Sequence, residues 1–283
     1  MRFGMNMFLW VDTLTEDILP LLEDIKQMGF DAVEIPMFET DTAKYAKWGK
    51  HFDDLGLART GCVVRGEGDD PMSADPAVRR KGIDANKIAL DCCQAAGVET
   101  LVGPYHSALG HFSGRGATAD EWSRAVESMR EVAEHAETCG VNLALEAVNR
   151  FECYLLNCAA DLARFCDDVR HPRCKAMYDT FHAHIEEKSI PNAIRTLKDH
   201  LIHVHISEND RSTPGAGNVR WPENFDTLHE IGYNNIMVVE AFGLSLENLV
   251  AATKIWRRMY DSEMQLAGDA VKFMKQEVAK RWK

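Results

Sequence analysis

Four side chains able to bind a cation or carry a proton come late in four successive apolar runs. They are Glu146 in NLALEAV, Asp179 in CKAMYDT, His205 in IHVHISE and Glu240 in NIMVVEA. A carboxylate buried in such a run without a partner costs on the order of several kcal/mol or gives up its charge. Taken singly, each Asp or Glu reads as readily as a helix N-cap or a loop ion pair. Four of them, each about one strand-plus-helix unit after the last, point instead to one shared site. Three carboxylates and an imidazole would repel one another there unless a divalent cation sat among them. Oxygen-rich ligands with one nitrogen suit Mn²⁺, Mg²⁺ or Co²⁺ better than a metal that selects thiolates.

Further polar groups follow each of these runs. Asp179 leads into TFHAHIEE with His182 and His184, His205 leads into ISENDR with Glu208 and Arg211, and Glu152 lies shortly after Glu146. Arg and His at a rim can orient the hydroxyls of a polyol, and Arg211 could equally hold a phosphate. His184 and Glu208 read equally well as solvated loop residues. His203 shares a strand face with His205 and is expected to be a packed interior histidine rather than a ligand's partner. Trp10, Glu34 and Cys62 fall at rim or interior positions, with Trp10 and Cys62 reading equally as core.

The elements that must position these residues are legible as an alternation. Eight β-rich runs (2–8, 32–37, 58–64, 100–105, 142–148, 174–180, 202–208 and 235–241) are separated by segments with helical spacing. The phrase "helix end, Gly, a few residues, buried strand" recurs in QMGFDAVEI, AAGVETLVG, TCGVNLALE and EIGYNNIMVVE. Repeated βα units with near-continuous apolar strands imply a parallel sheet covered by helices, and eight of them imply a closed (β/α)₈ barrel. In that fold chemistry sits at the carboxyl ends of the strands, where the four residues fall. No linker divides the chain, so residues 1–283 are expected to form one domain, with the barrel over about 1–260 and a C-terminal helix over about 261–283. An open doubly wound sheet is the second choice, and no GxGxxG follows the first strand to support it.

Composition narrows the partners. The 283 residues carry a formal charge of −12, which disfavours nucleic acid and anionic membrane surfaces. No apolar run approaches the roughly 20 residues of a membrane span. The eight cysteines form no CxxC pair, and MRFGMNMFLW runs directly into TEDILPLLEDI, so a cytoplasmic chain with reduced thiols and no secretory leader is expected. Arg257, Arg258 and the closing Lys-Arg-Trp-Lys read as solvated helix ends or an oligomer contact.

Together LALEAVNRFE, KAMYDTFHAHIEE, HVHISENDR with PGAGNVRW, and EIGYNNIMVVEAF resemble the ketose 3-epimerases, the D-tagatose and D-allulose (psicose) 3-epimerase group of the xylose-isomerase-like barrels. The similarity covers most of the chain and is strongest from about residue 120 to 242. It implies that Glu146, Asp179, His205 and Glu240 hold the metal, Mn²⁺ first and Co²⁺ or Mg²⁺ otherwise. It also implies that Glu146 and Glu240 are the acid/base pair, that Glu152, His182 and Arg211 hold a small sugar, and that the protein is a homodimer or homotetramer. The expected reaction is inversion of a ketose at C3 through a cis-enediolate. An aldose–ketose isomerase, an inosose dehydratase and a 3-keto-glycoside lyase share the enediolate step, and a non-catalytic sugar-binding subunit would share the barrel. The N-terminal half departs from that group. Asn6 stands where an aromatic is usual, Cys62 falls where the pocket is shaped, and GPYHSALGHFSGRG brings His106, His111 and Arg115 towards the mouth. With Asn6, Cys62 and His106 as sugar contacts, the expectation shifts towards a shorter, substituted, oxidised or phosphorylated sugar.

Overall fold

Eight short strands close on themselves in a computed structural model that describes residues 1–282. They are β1 (Arg2–Asn6), β2 (Ala32–Pro36), β3 (Ala58–Cys62), β4 (Thr100–Gly103), β5 (Asn142–Leu145), β6 (Cys174–Asp179), β7 (Leu201–Ile206) and β8 (Ile236–Val239). Each pairs in parallel with the next, and β8 pairs with β1. All eight expected runs form strands, and each stops earlier than the expected run does. Glu146 and Glu240 therefore sit one residue beyond β5 and β8, where the backbone leaves the ladder.

The helices are α1 (Leu19–Met28), α2 (Thr42–Leu55), α3 (Pro76–Ala96), α4 (Ala119–Cys139), α5 (Ala159–Val169), α6 (Thr180–Glu186), α7 (Ile190–Leu197), α8 (Trp221–Glu230), α9 (Glu247–Thr253) and α10 (Glu263–Arg281). The segment TEDILPLLEDIKQMGF has apolar residues at helical spacing. It begins with a 3₁₀ turn at Glu16–Ile18, because Pro20 lacks an N–H and is tolerated only in a first turn. The glycines that close the recurring phrase, Gly29, Gly97 and Gly140, take φ of 98°, 68° and 71°, a left-handed cap that costs glycine little.

Period-two alternation sorts every strand into two faces. Outward residues such as Val33, Leu101, Leu143, Tyr178, Val204 and Met237 join one large core beneath the helices. Inward residues form two smaller apolar layers, Ala32, Ile236 and Val238 in one and Phe8, Cys62, Val102, Ala144 and Met177 in the other. The register sets Asn6 beside Glu34, Glu34 beside Thr60, and Asp179 beside His205, so a polar layer occupies the interior. Helix α10 packs on α1, α8, β1 and β8 and covers the seam where the last strand meets the first. Within the basic tail Arg281 is paired with Asp226 and Glu277, and Lys283 lies outside the described residues. Among the described residues no helix is long and apolar enough to cross a membrane, and the cysteines form no disulfide.

Candidate active site at the carboxyl rim

Asp179, His205 and Glu240 converge at the carboxyl ends of β6, β7 and β8, each offering a ligand atom within 4.8 Å of the others. Imidazole Nδ1 of His205 lies 3.3 Å from Glu240 Oε1 and 3.6 Å from Asp179 Oδ2. Glu146 joins from just past β5; one of its carboxylate oxygens comes within 4.8 Å of ligand atoms on Asp179 and His182. All four residues are buried. The donor set fits a hard divalent cation, and two orphaned atoms support that fit. Glu146 Oε1 and His205 Nδ1 are buried polar atoms without a hydrogen-bond partner, an arrangement that ordinarily has to be compensated.

Asp179 serves twice. Its Oδ1 accepts from the backbone N–H groups of Phe181 at 2.6 Å and His182 at 3.3 Å, capping α6, while Oδ2 faces the site. Beneath His205 lies Glu34, fully buried on β2. Glu34 Oε1 accepts from His205 Nε2 at 2.7 Å and Asn6 Nδ2 at 2.8 Å, Oε2 accepts from Thr60 Oγ1 at 2.7 Å, and His203 Nε2 lies 3.1 Å from Oε2. That arrangement keeps the ring proton of His205 on Nε2 and turns Nδ1 towards the carboxylates. The sequence had left Glu34 between rim and interior and had read His203 as packing. The missed signal was an acid inside AVEIPM on the strand face that also carries the rim residues. Asn6, expected to touch the sugar, is corrected: its amide bonds Glu34 and the N–H of Phe8, so neither end faces the cavity.

A cavity of about 120 Å³ opens above this layer. Glu146, Glu152, His182, Arg211 and Glu240 line one side, and Phe8, Phe38, Cys62, Pro104, Leu109 and Phe242 line much of the rest. The candidates Glu152, His182, Arg211 and Cys62 thus reach the cavity. A wider groove of about 540 Å³ runs outside the barrel between α4 and α5, lined by Trp122, Tyr154 and Arg164, and none of the four ligand-type residues reaches it.

Arg211 holds an uncommon backbone φ of 63° and stacks over Phe181 at 3.8 Å. Its Nη1 donates to Asp179 Oδ2 and Ser207 Oγ, each at 3.1 Å, and to Glu240. The Nδ1 of His182 accepts from the Asn149 N–H at 2.9 Å, which leaves the ring proton on Nε2, 2.8 Å from Arg211 Nη2.

The loop after β4 differs from expectation. His106 is wholly enclosed and bonds the Glu146 carbonyl, Arg115 pairs with Glu121, and His111 faces Glu67 at the surface. The loop's contribution to the cavity is apolar, Pro104 and Leu109. Glu208 is also buried, where it accepts from the N–H groups of Gly215 and Val219 and from the Trp221 indole, so it orders the loop after β7.

The electrostatics separate the two carboxyls lining the cavity. Burial, reinforced by the charge of Glu240, pushes Glu146 well above the ordinary carboxylate range. Burial pushes Glu240 the same way, but His205 and Arg211 outweigh it and hold Glu240 down at about 2. Burial opposes the charged form of His205, yet Glu240 and Glu34 raise its pKa well above the usual value. His182 falls to about 3 and His106 to about 4, both chiefly through burial, so each ring stays neutral. Before a metal binds, the two carboxyls of this cavity thus differ in proton affinity, a separation of the kind acid/base pairs use.

A family profile described as xylose isomerase-like TIM barrel matches residues 22–276. An L-ribulose 3-epimerase of Mesorhizobium japonicum is 32% identical over 277 residues, spanning 96% of this chain and 93% of the relative. A D-psicose 3-epimerase of Ruminiclostridium cellulolyticum is 32% identical over 290 residues, spanning 97% of this chain and 98% of the relative. A solved L-ribulose 3-epimerase structure superposes with a TM-score of 0.93 at 31% identity, covering 99% of this chain and 95% of that one.

Proposed function

The chain belongs to the ketose 3-epimerases of the xylose isomerase-like TIM barrel family, and from that membership we propose that it inverts unmodified ketoses at C3, of the L-ribulose, D-psicose or D-tagatose type. The observation that carries this reading is the pair Glu146 and Glu240, which follow β5 and β8 and line one cavity. Epimerisation removes a proton from the carbon next to the C2 carbonyl and returns one to the other face, so two carboxyls must reach that carbon. Glu146 and Glu240 are the two carboxyls placed to do this, one taking the proton and the other returning one, and the reverse reaction exchanges them. A divalent cation held by Glu146, Asp179, His205 and Glu240, with Mn²⁺ favoured and Co²⁺ or Mg²⁺ alternatives, supplies Lewis-acid neutralisation of the enediolate's oxygen charge when bound. Glu152, His182 and Arg211 orient the sugar's hydroxyls.

The apolar remainder of the cavity favours a neutral sugar. Among the described residues Arg211 is the one Lys or Arg that lines it, and it is already paired with carboxylates, so a phosphorylated or oxidised substrate finds no free positive charge. This departs from the expectation raised by the polar loop after β4. The chain is read as one domain, barrel over about 1–260 and helix over about 261–283, working in the cytoplasm. Phe112 and Phe151 stand exposed on the loops after β4 and β5, and Trp256 on the connection between α9 and α10, which supports a homodimer or homotetramer. A monomer by light scattering overturns that last point.

Proton NMR in D₂O with the Mn²⁺-loaded enzyme and a panel of ketoses tests the reaction. Deuterium at C3 together with the C3 epimer is expected; exchange at C1 with an aldose product makes the protein an aldose–ketose isomerase instead. Glu240→Gln is expected to lower turnover by roughly 10²- to 10⁴-fold, the usual weight of a general acid or base, while ligand binding persists. Unchanged turnover removes Glu240 from the chemistry.

A further inference from the structure

His106 lies wholly inside the protein, and its ring joins two neighbours. Nε2 stands 2.9 Å from the carbonyl oxygen of Glu146, and Nδ1 stands 2.9 Å from Ser107 Oγ. A carbonyl only accepts, so Nε2 carries the ring proton and Nδ1 accepts from the Ser107 hydroxyl. With its own proton so used, Ser107 Oγ accepts from the Cys153 thiol at 3.3 Å, and the Cys153 sulfur accepts from the Leu155 N–H at 3.2 Å. Each donor has one acceptor, and the chain can run in only one direction.

The same loop grips its neighbour at two further points. The N–H of Glu146 donates to the Gly103 carbonyl at 3.2 Å, and the N–H of Gly110 donates to the Glu152 carbonyl at 2.8 Å. On the other side, β5 pairs with β6 only over Leu143 to Leu145, so the Glu146 peptide lies past the ladder. Its carbonyl is held by His106.

We propose that His106 is a positioning residue for the reaction: the hydrogen bond from its Nε2 to the Glu146 carbonyl fixes where the Glu146 carboxyl stands, and the loop after β4 is the template on which the site-bearing loop after β5 is set. This rests on the reading of Glu146 as one of the acid/base pair. A reacting group displaced by about 1 Å costs on the order of 10²-fold in rate, so a bond that fixes the backbone of Glu146 bears on turnover without touching the sugar.

Two amide substitutions separate the ring's two ends. The amide nitrogen of Gln can reach the Nε2 position and keep the donation to Glu146, whereas that of Asn reaches only the Nδ1 position. His106→Asn is expected to lower kcat by about 10²-fold with KM within about threefold of wild type, and His106→Gln to keep kcat within about tenfold. Ser107→Ala, which frees the ring to take the other tautomer, is expected to fall between them. Mn²⁺ affinity by calorimetry reads the Glu146 carboxyl independently of turnover, and it should weaken in His106→Asn and recover in His106→Gln. Unchanged kcat in His106→Asn overturns the proposal. A raised KM alone makes His106 a sugar contact, and equal losses in both variants with equal falls in Tm reduce it to packing; either outcome also overturns it. Should the wild type exchange no ketose at C3, the epimerase reading falls, and the order of Mn²⁺ affinities still decides for or against the clamp.

Discussion

At Asp179 the mundane and the functional readings of a strand-end acid are both true, because the two carboxylate oxygens do different work. Oδ1 caps α6 and Oδ2 faces His205 and Arg211. The two roles can be separated. Asp179→Asn keeps a capping oxygen and removes the charge, so the fold is expected to persist while Mn²⁺ binding is lost. Asp179→Ala should lose in addition about 1 kcal/mol of stability, the usual weight of a cap, in urea titrations of the metal-free protein. Equal metal affinity in wild type and Asp179→Asn removes Asp179 from the ligand set. Glu34 acts one step further back, through His205. Glu34→Gln leaves the shape and takes away the charged acceptor, and partners of this kind typically weigh 10- to 100-fold, so Mn²⁺ affinity by calorimetry is expected to fall by about that much. An unchanged affinity would leave Glu34 as packing.

The element that decides the geometry most is the short β4 with the loop that follows it. Gly103 closes β4 at a φ of 120°, and a Cβ there would lie 2.4 Å from the Val63 carbonyl oxygen. Only glycine takes that conformation without strain, and its carbonyl receives the Glu146 N–H. Gly103→Ala is therefore expected to cost about 1–3 kcal/mol in urea unfolding, the scale of a residue forced into a sparsely populated backbone region. It should also lower turnover more than a surface change of equal destabilisation, since the backbone that moves is the one holding Glu146. A variant as stable as wild type would show that the close approach to Val63 relaxes freely. The expectation that this loop brings charge to the mouth failed for a simple reason: its polar residues all find partners in the protein, and the chain direction between Gly103 and Thr118 is set by those partners rather than by local pattern.

Across the molecule, the interior polar layer stores protons that a cation must displace. Burial with the charge of Glu240 raises the proton affinity of Glu146, and Glu240 with Glu34 raises that of His205 against its burial, so each holds its proton to a higher pH than usual before metal binds. A metal takes the deprotonated forms. Binding is thus expected to release protons, and affinity to rise with pH, since raising pH removes the protons that compete. Calorimetry of Mn²⁺ binding in two buffers of different ionisation enthalpy checks this; an observed enthalpy independent of buffer would show that no proton leaves. The chain as a whole carries a net charge of −12, which suits a neutral sugar better than an anionic one.

Legibility followed the range of the forces involved. Period-two runs, glycine-ended helices and their eightfold recurrence are local patterns, and they determined the barrel, its parallel order and the rim to which Glu146, Asp179, His205 and Glu240 belong. The same regularity made Glu152, His182 and Arg211 readable, since each follows directly from a rim residue. What only the tertiary structure decided was which polar side chains face the cavity and which face one another. Glu34 and His205 are 171 residues apart and meet at 2.7 Å because the barrel closes. His106 and Glu146 meet because two neighbouring loops pack. Asn6 and His106 look like sugar contacts in a linear reading, and Glu208 reads as readily as a solvated loop residue; all three turn inward in the fold, because a buried polar group must be satisfied by whatever partner closure brings to it, and no local pattern specifies that partner.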